Sequence, residues 1–509
     1  MNQTVLTWIL LVVYAAAAMW ISLRTSKISH TREGFFLGGQ SMGVLAASCS
    51  MVMGFLSGMV IVGFPAYGLR MSSAFYLAAG FGFMGLIYPM YGYRLWRYGK
   101  KYHYITTSNY IADRYESETF SKVYSAIQLI FMIPYIAVQY VAFGNAMEAC
   151  AGIPYMTGMI ILAVLIMISL FFGGAKGAGT LDIVNAALGV GVPIALFVCL
   201  LVHFKMPLGQ LGAAVDAVDN GFNTINASTN YFPQLFKNFQ TACTSHLFLL
   251  FGPHVVSKMF MLPNKQKFNQ MVHRVPMFYM AVCLPLQCLT LCGIAFYAYL
   301  RAEGRTDVLL FEMLNDVSSP LLTALMAVCI LAFCISTCNA FAVACSGIIS
   351  QDFYEPILRR RGVDMDKPEN VKKAVNMGKV GVLLVTVIGI IFGASRSVYI
   401  TDYVYSLASP GFAQVLPALL LGLYWRRGGK AAGISSFLVG NIVVVVTMFF
   451  WKTPFGITGV TPAMWGLACN LIVYLIVAFC TKPSQKVYER FFADEDRLIV
   501  RLKERAKAK

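Results

Sequence analysis

The chain has 509 residues, of which 58% are hydrophobic and 12% are charged. Because soluble domains carry roughly 25% charged residues, this composition excludes a soluble globular protein. The apolar residues form runs of about 18 to 25 residues between short charged loops, which is the pattern of an all-α polytopic membrane protein.

Successive apolar runs along the chain predict about 13 transmembrane helices. No segment between them is long and polar enough for a separate soluble domain. We therefore expect a single transmembrane domain over residues 1–481, followed by a short basic tail over 482–509. The predicted spans lie at residues 5–23, 42–64, 73–93, 123–148, 156–173, 182–203, 240–257, 276–299, 320–346, 379–395, 403–424, 432–451 and 462–481.

The positions of the positive charges predict the orientation of the spans. The formal net charge is +17, and alternate loops, beginning after the first span and including Lys258, hold 33 of the 40 Lys and Arg residues. Cytoplasmic loops carry such an excess, so we place the N-terminus outside and the C-terminus in the cytoplasm of a plasma or inner membrane. We expect the tail to lie against anionic membrane lipid, and we expect no nucleic-acid partner.

Glycine and proline interrupt two of the predicted spans. The second span contains Gly54 and Gly58, and the seventh contains Gly252 and Pro253. A helix break inside lipid leaves backbone N–H and C=O groups unpaired, at a cost of several kcal/mol each unless another group binds them. A single glycine fits helix packing or a kink equally well. Two breaks at corresponding positions indicate a transporter with its binding site near the bilayer midplane.

The two broken spans also indicate an internal repeat. Each of them opens a set of five spans, and because five is odd the second set has the opposite orientation to the first. The sequence therefore predicts a five-plus-five inverted repeat over about residues 42–203 and 240–424.

Motifs that resemble enzyme sites lack the context that those sites need. Residues 80–85 read GFGFMG, but they lie inside a predicted span with no strand before them. Residues 173–179 read GGAKGAG and lack the ending of a phosphate loop, so we interpret them as a flexible inward turn. The sequence predicts neither an enzyme nor a bound cofactor.

Few polar residues lie inside the spans, and each has two interpretations. Asp182 is either a helix N-cap or a functional carboxylate, and His246 either faces a cavity or is a satisfied buried histidine. The adjacent Ser336 and Thr337 either bond to carbonyls of their own helix or bind a small hard cation such as sodium, which takes oxygen ligands.

Several segments, taken in order, resemble the sodium/solute symporter family, which includes sodium/proline, sodium/pantothenate and sodium/galactose carriers. Two shorter segments, GIPY at 152–155 and GPH at 252–254, are similar to the pantothenate and proline branch. The segments that carry the resemblance are FFLGGQSMG at 35–43, FGG at 172–174 with Asp182, Ser336-Thr337 with SQDFY at 350–354, and LGLYW at 421–425.

The resemblance implies a LeuT-like fold with two discontinuous helices, and a sodium ion as the coupling ion between the first broken helix and the ninth span. It further implies hydroxyl ligands, backbone carbonyl ligands and an acid near the inward sodium path. These are Ser336 and Thr337 for the hydroxyls, Met53, Leu56 and Phe333 for the carbonyls, and Asp182 for the acid.

The chain departs from the proline carriers of this family around the first break. Phe55 stands where those carriers have an aspartate, and Met59, Ser245 and Leu249 stand where they have aromatic residues. Proline itself is therefore a doubtful solute, whereas the sodium site depends less on these positions.

The ends of broken helices present N–H groups and positive dipoles, which suit an anionic group. We therefore expect a small organic anion or zwitterion, such as a monocarboxylate, a pantothenate-like acid or an amino acid. A proton-coupled carrier of the same fold, a sodium-coupled carrier of a neutral solute such as a sugar, a solute sensor and a passive channel stay open. No obligate protein partner is indicated. The residues expected to line the solute site are Ser57, Met59, Gln139, Ser245, His246 and Leu249.

Overall fold

The computed structural model of the protein describes residues 2–70, 80–85, 88–218, 236, 239–240, 243–394, 409–482 and 484–493. Every regular element among these residues is helical. Much of the predicted span 73–93 and the first residues of the predicted span 403–424 lie outside the described residues.

The second predicted span consists of two helices. After α1 (Gln3–Thr25), the short α2 (Arg32–Leu37) is followed by a turn of 107° into α3 (Val44–Phe55). α4 (Gly58–Arg70) then begins after a two-residue interruption. The interruption lies in the middle of the span, so the backbone leaves the helical path at membrane depth.

A cationic segment connects the third and fourth predicted spans. It contains α5 (Tyr93–Tyr102) and α6 (Thr107–Arg114). The Asn109 side chain accepts hydrogen bonds from the N–H groups of Ile105 and Thr106, both at 3.0 Å, and so fixes the start of α6.

The Arg114 guanidinium at the end of α6 is 1% exposed and binds three backbone carbonyls from the far end of the chain. It donates to Gly422 at 2.6 Å, to Trp425 at 2.8 Å and to Gly428 at 2.7 Å. The last carbonyls of a helix have no partner within it, and the fork of five arginine donors suits several of them at once. Arg114 therefore caps the helix that ends at Tyr424 and ties it to α6.

Two long helices complete the first half of the chain, α7 (Glu118–Ala151) and α8 (Tyr155–His203). At 1.5 Å per residue α8 is about 74 Å long, more than twice the hydrocarbon thickness, so it contains two of the predicted spans. They meet at Gly174, whose φ of 54° and ψ of −156° are non-helical. The predicted flexible turn over 173–179 is therefore wrong, because the helix resumes after one glycine.

The second half begins with the other broken helix. A π-turn and a 3₁₀ turn over residues 243–251 lead into α10 (Pro253–Met259), with α9 (Leu211–Val218) before them. α11 (Lys265–Ala302) and the shorter α12 (Leu309–Val317) follow.

α13 (Pro320–Gly347) lies at the centre of the molecule. It is buried on all sides, with 89% of its most apolar stretch inside the protein, and it packs against α1, α3, α7 and α8. A helix that is hydrophobic all round belongs in such a position. Ser336 and Thr337 therefore lie at the core of the protein and not against lipid.

The remaining helices surround this core. A π-turn continues α13 into α14 (Glu355–Arg360). Eight helices among the described residues are long and apolar enough to cross a membrane, so the number of 13 spans stays a prediction. The last helices are α15 (Pro368–Gly393), α16 (Ser409–Tyr424), α17 (Lys430–Phe449), α18 (Pro462–Cys480) and α19 (Gln485–Phe491).

The first part of the tail packs against protein and not only against lipid. In α19 the Phe491 ring contacts Tyr98 and Tyr102, and the Tyr98 hydroxyl donates to the Phe491 carbonyl at 2.6 Å. Arg490 forms an ion pair with Asp113 on α6. The tail from residue 494 onward lies outside the described residues.

Replacing Arg114 with leucine is expected to destabilise the fold. The change leaves three carbonyls without their donor, at about 1–3 kcal/mol for each buried unpaired group. The apparent melting temperature of the purified protein in detergent should fall clearly. Arg360→Leu is the matched control, because the Arg360 side chain is 66% exposed and its pair with Glu118 is worth little. Equal melting temperatures for the two variants would contradict the assigned role.

Candidate functional site

The break of the first discontinuous helix lies at Leu56 and Ser57. Leu56 has extended backbone angles (φ −83°, ψ 114°) at the end of α3, and α4 begins at Gly58. Gly54, which we predicted to be part of the break, lies inside α3 instead. The terminal carbonyl groups of α3 and the first N–H groups of α4, which have no partner within their own helices, are therefore separated by two residues.

Two side chains from other helices bind the groups that the break frees. The Gly58 N–H donates to the Gln139 side-chain oxygen at 2.9 Å. The Thr337 hydroxyl lies 3.2 Å from the Leu56 carbonyl and 3.5 Å from the Met53 carbonyl. Gln139, which we predicted to line the solute site, therefore serves as the cap of α4.

The oxygen atoms at this break fit a small hard cation. Thr337 brings its hydroxyl to two carbonyls of α3, and the Ser336 hydroxyl beside it is buried and lies within hydrogen-bonding reach of the Asp182 carboxylate. Neither hydroxyl bonds to its own helix among the described residues. Phe333 lies one turn before Thr337 on α13. Sodium requires several oxygen ligands, and the oxygens here lack a full set of hydrogen-bond donors.

Asp182 lies beside these hydroxyls, inside α8 and well after the kink at Gly174. Its interpretation as a helix N-cap is therefore wrong. The carboxylate is buried and accepts a hydrogen bond from the Asn185 amide at 3.1 Å, while Asn185 accepts one from the Tyr14 hydroxyl at 2.8 Å. These two consecutive hydrogen bonds fix the position of the carboxylate in the interior of the protein.

A small cavity joins Asp182 to Ser336, one of the sodium candidates. Its free volume is about 10 Å³, which is room for one water molecule or one small ion. Seven polar side chains line it, three from α3 and α13 and four from α8 and α10. They are Ser50, Ser336 and Asn339, and Asp182, His254, Ser257 and Lys258.

Lys258 is the residue that the sequence analysis missed. We counted it among the inward loop charges, but its side chain is buried on α10 and its ammonium donates to the Ser50 carbonyl of α3. Gly54 lies directly under this ammonium, so that a Cβ there would overlap it. The glycine therefore makes room for the lysine. The only signal in the sequence was an apolar stretch, MFML at 259–262, that continues past the lysine.

The second break has a simpler geometry. Gly252 is extended (φ −63°, ψ 143°), and Pro253 takes the first position of α10, where its missing N–H costs nothing. The His254 ring then stacks on Phe341 of α13 at 3.8 Å. Leu249, a predicted solute residue, is buried just before the break.

An aromatic cluster connects the two breaks. The His246 ring bonds to the Tyr279 hydroxyl at 2.8 Å, and the Phe55 ring lies 5.8 Å from His246 and 6.2 Å from Tyr279. A Cβ at Gly80 would overlap the Tyr279 hydroxyl. The structure thus brings His246 next to Phe55, the residue before the sodium candidate Leu56, and adds Tyr279, which the sequence analysis did not select.

The other predicted solute residues are only partly located. The Ser57 hydroxyl is buried and lies within hydrogen-bonding reach of the Tyr135 hydroxyl. The side chains of Met59 and Ser245 lie outside the described part of the structure.

Comparison with known proteins finds sodium-coupled carriers that are similar to this chain. The family model described as "Sodium:solute symporter family" matches residues 35–440. The osmoregulated proline transporter OpuE of Bacillus subtilis is 25% identical over 96% of this chain and 98% of that protein. The sodium/proline symporter of Staphylococcus aureus is 26% identical over 94% of this chain and 93% of that protein.

A solved structure, that of a Na+-coupled sialic acid symporter in a substrate-bound outward-open state, matches the fold with a TM-score of 0.78. It is 16% identical and covers 94% of this chain and 98% of that one. This likeness confirms the predicted all-α membrane fold with its inverted repeat.

Gln139→Leu is expected to destabilise the break. The Gly58 N–H would lose its acceptor in a buried place, at a cost of about 1–3 kcal/mol. We expect a lower apparent melting temperature in detergent. Gln485→Leu on the exposed face of α19 is the control and should melt like the unaltered protein. A Gln139→Leu protein that also melts unchanged would show that water or another group can cap α4.

Proposed function

The chain belongs to the sodium:solute symporter family, and from this premise we propose which of its residues bind sodium and what kind of solute it carries. The protein is a multi-pass membrane transporter, not an enzyme, and it couples a small organic solute to sodium. We propose further that its N-terminus is outside and its C-terminus cytoplasmic, as the distribution of Lys and Arg indicates.

We assign the sodium ion to the break of α3 and α4. One observation carries this assignment: the Thr337 hydroxyl of α13 reaches the carbonyl of Leu56, the residue that directly follows the last residue of α3. The carbonyl end of a helix carries partial negative charge, which favours a cation there. The proposed ligands are the Met53, Leu56 and Phe333 carbonyls and the Ser336 and Thr337 hydroxyls, with Asp182 beside them on the inward path.

Sodium at this place would join the two repeats. α3 lies in the first repeat and α13 in the second, so an ion that binds both favours the arrangement in which they are in contact. When the repeats move apart, the set of ligands is divided and the ion is released. Each net positive charge that moves inward gains about 2.3 kcal/mol per 100 mV of membrane potential.

Adjacent residues explain how sodium and solute could be coupled. Leu56 offers its carbonyl to the sodium site, while the neighbouring Phe55 ring lies against His246 and Tyr279. A solute that packs on this aromatic cluster therefore fixes the backbone that binds sodium. Binding at one site would raise affinity at the other, and this effect is reciprocal.

We propose a compact amino acid or short monocarboxylate as the solute. The N–H end of α4 supports a negatively charged group, and the Phe55, His246 and Tyr279 cluster gives an apolar flank with one polar edge. Two relatives are named as proline carriers, which agrees with this class of solute. Phe55 replaces the aspartate of proline carriers, so we expect proline to compete with related acids and not to be exclusive.

Uptake into proteoliposomes tests the function. With an inward sodium gradient, the purified protein should accumulate its solute above the external concentration, and collapse of the gradient should abolish accumulation. A panel of amino acids, short monocarboxylates, pantothenate and neutral sugars identifies the class. Equal accumulation in sodium-free buffer with a proton gradient would show a proton-coupled carrier of the same fold instead.

Thr337→Val tests the sodium assignment. The substitution keeps the shape of the side chain and removes one oxygen ligand, so the sodium concentration for half-maximal uptake should rise about tenfold or more, which equals about 1.4 kcal/mol. Thr290→Val is the matched control, because Thr290 is equally buried and bonds only to its own helix, at 3.1 Å from the Leu286 carbonyl. Similar sodium dependence in both variants would place the ion elsewhere.

A further inference from the structure

Lys258 places a positive charge in the interior of the protein, beside the proposed sodium site. Its side chain is 6% exposed, although α10 is short and the lysine is next to its last residue. The ammonium donates to the Ser50 carbonyl and lies over Gly54, where the absence of a side chain admits it. A buried lysine is costly unless it is paired, so its position needs an explanation.

The partner of this charge is Asp182. The two side chains line the same cavity, which has about 10 Å³ of free volume, and each lies within electrostatic reach of the other. The Asn339 amide oxygen in the cavity is buried and has no hydrogen-bond partner among the described residues, while the Ser336 hydroxyl lies within hydrogen-bonding reach of the Asp182 carboxylate. The Asn339 amide nitrogen donates to Ser169 at 3.0 Å, so the orientation of its oxygen is fixed.

These oxygens would make a cation site if the ammonium were absent. A carboxylate, a hydroxyl, an amide oxygen and a backbone carbonyl surround a space that is large enough for one ion, which is a set of ligands that hard cations prefer. The Lys258 ammonium already supplies the positive charge and uses the Ser50 carbonyl. A second cation in the cavity would meet this charge at short range in a poorly screened environment.

We propose that Lys258 is a tethered cation that takes the place of a second sodium ion beside Asp182, so that the protein binds one sodium and its solute per cycle. The inference rests on the proposed sodium site at Thr337 but concerns a different cavity. Lys258 stabilises the Asp182 carboxylate through the whole cycle without leaving the protein. Its removal, with the carboxylate intact, opens a second sodium site.

The test counts sodium ions bound to the full-length protein. The purified protein in detergent is equilibrated with radioactive sodium, and the ions bound per molecule are measured at saturation. We expect one ion for the unaltered protein and two for Lys258→Gln. Lys372→Gln, an exposed lysine on α15, controls for the loss of one positive charge and should bind one.

Several results would overturn the proposal. Two ions bound to the unaltered protein, or one ion bound to a folded Lys258→Gln variant, would each refute a tethered cation. If the unaltered protein bound no sodium, the proposed function itself would fail. A third result would separate the two proposals. If the unaltered protein bound one sodium ion and the Thr337→Val variant bound that ion more weakly, the proposed sodium site would stand. If Lys258→Gln then gained no second ion, only the role of Lys258 would fail.

Folding of the variants gives a second measurement. If Lys258→Gln unfolds without sodium, we expect high sodium to restore its melting temperature, because the ion replaces the ammonium. If high sodium raises the melting temperature of Lys258→Gln no more than that of the unaltered protein, the variant has no vacated ion site.

Discussion

A helix that stops inside a membrane frees backbone groups that water cannot reach, and the structure is organised around pairing them. At the first break the Gly58 N–H is bound by Gln139 of α7, and the Leu56 carbonyl is reached by Thr337 of α13. α7 belongs to the first repeat and α13 to the second. The break is therefore held from both sides of the interface that must move during transport. A site of this kind is sensitive to small displacements, because each partner comes from a separate rigid element.

The electrostatics of the interior follow from the same requirement. The carbonyl end of α3 is a negative pole without a full set of donors, and the Asp182 carboxylate lies close to it on α8. The Lys258 ammonium is a fixed positive charge in this region, and the sodium site that we propose at Thr337 would add a mobile one. A fixed and a mobile positive charge side by side limit the number of cations that the site can hold, because each additional charge in the low-dielectric interior is costly.

Composition and spacing were enough to predict the class of protein, the two broken helices and the Ser336-Thr337 pair. They were enough because lipid imposes strict rules on apolar length and on backbone pairing. The role of Gly54 was not predictable, since a glycine in the sequence does not reveal which side chain lies over it. Lys258 was assigned to a loop because charge counting assumes that lysine at the end of a span faces water. Gln139 was assigned to the solute because its acceptor role depends on a backbone N–H that is 81 residues away in the sequence.

The complete burial of α13 has a consequence for how such carriers diversify. Almost every side chain of this helix contacts protein on all sides, so most substitutions in it alter packing and are removed by selection for stability. The aromatic cluster of Phe55, His246 and Tyr279 is formed by other helices, α3, α11 and the turn before α10. Changes there leave the central helix intact. If this cluster binds the solute, as we propose, a change of a few aromatic side chains would alter the solute that is carried and leave the proposed sodium ligands of α13 in place.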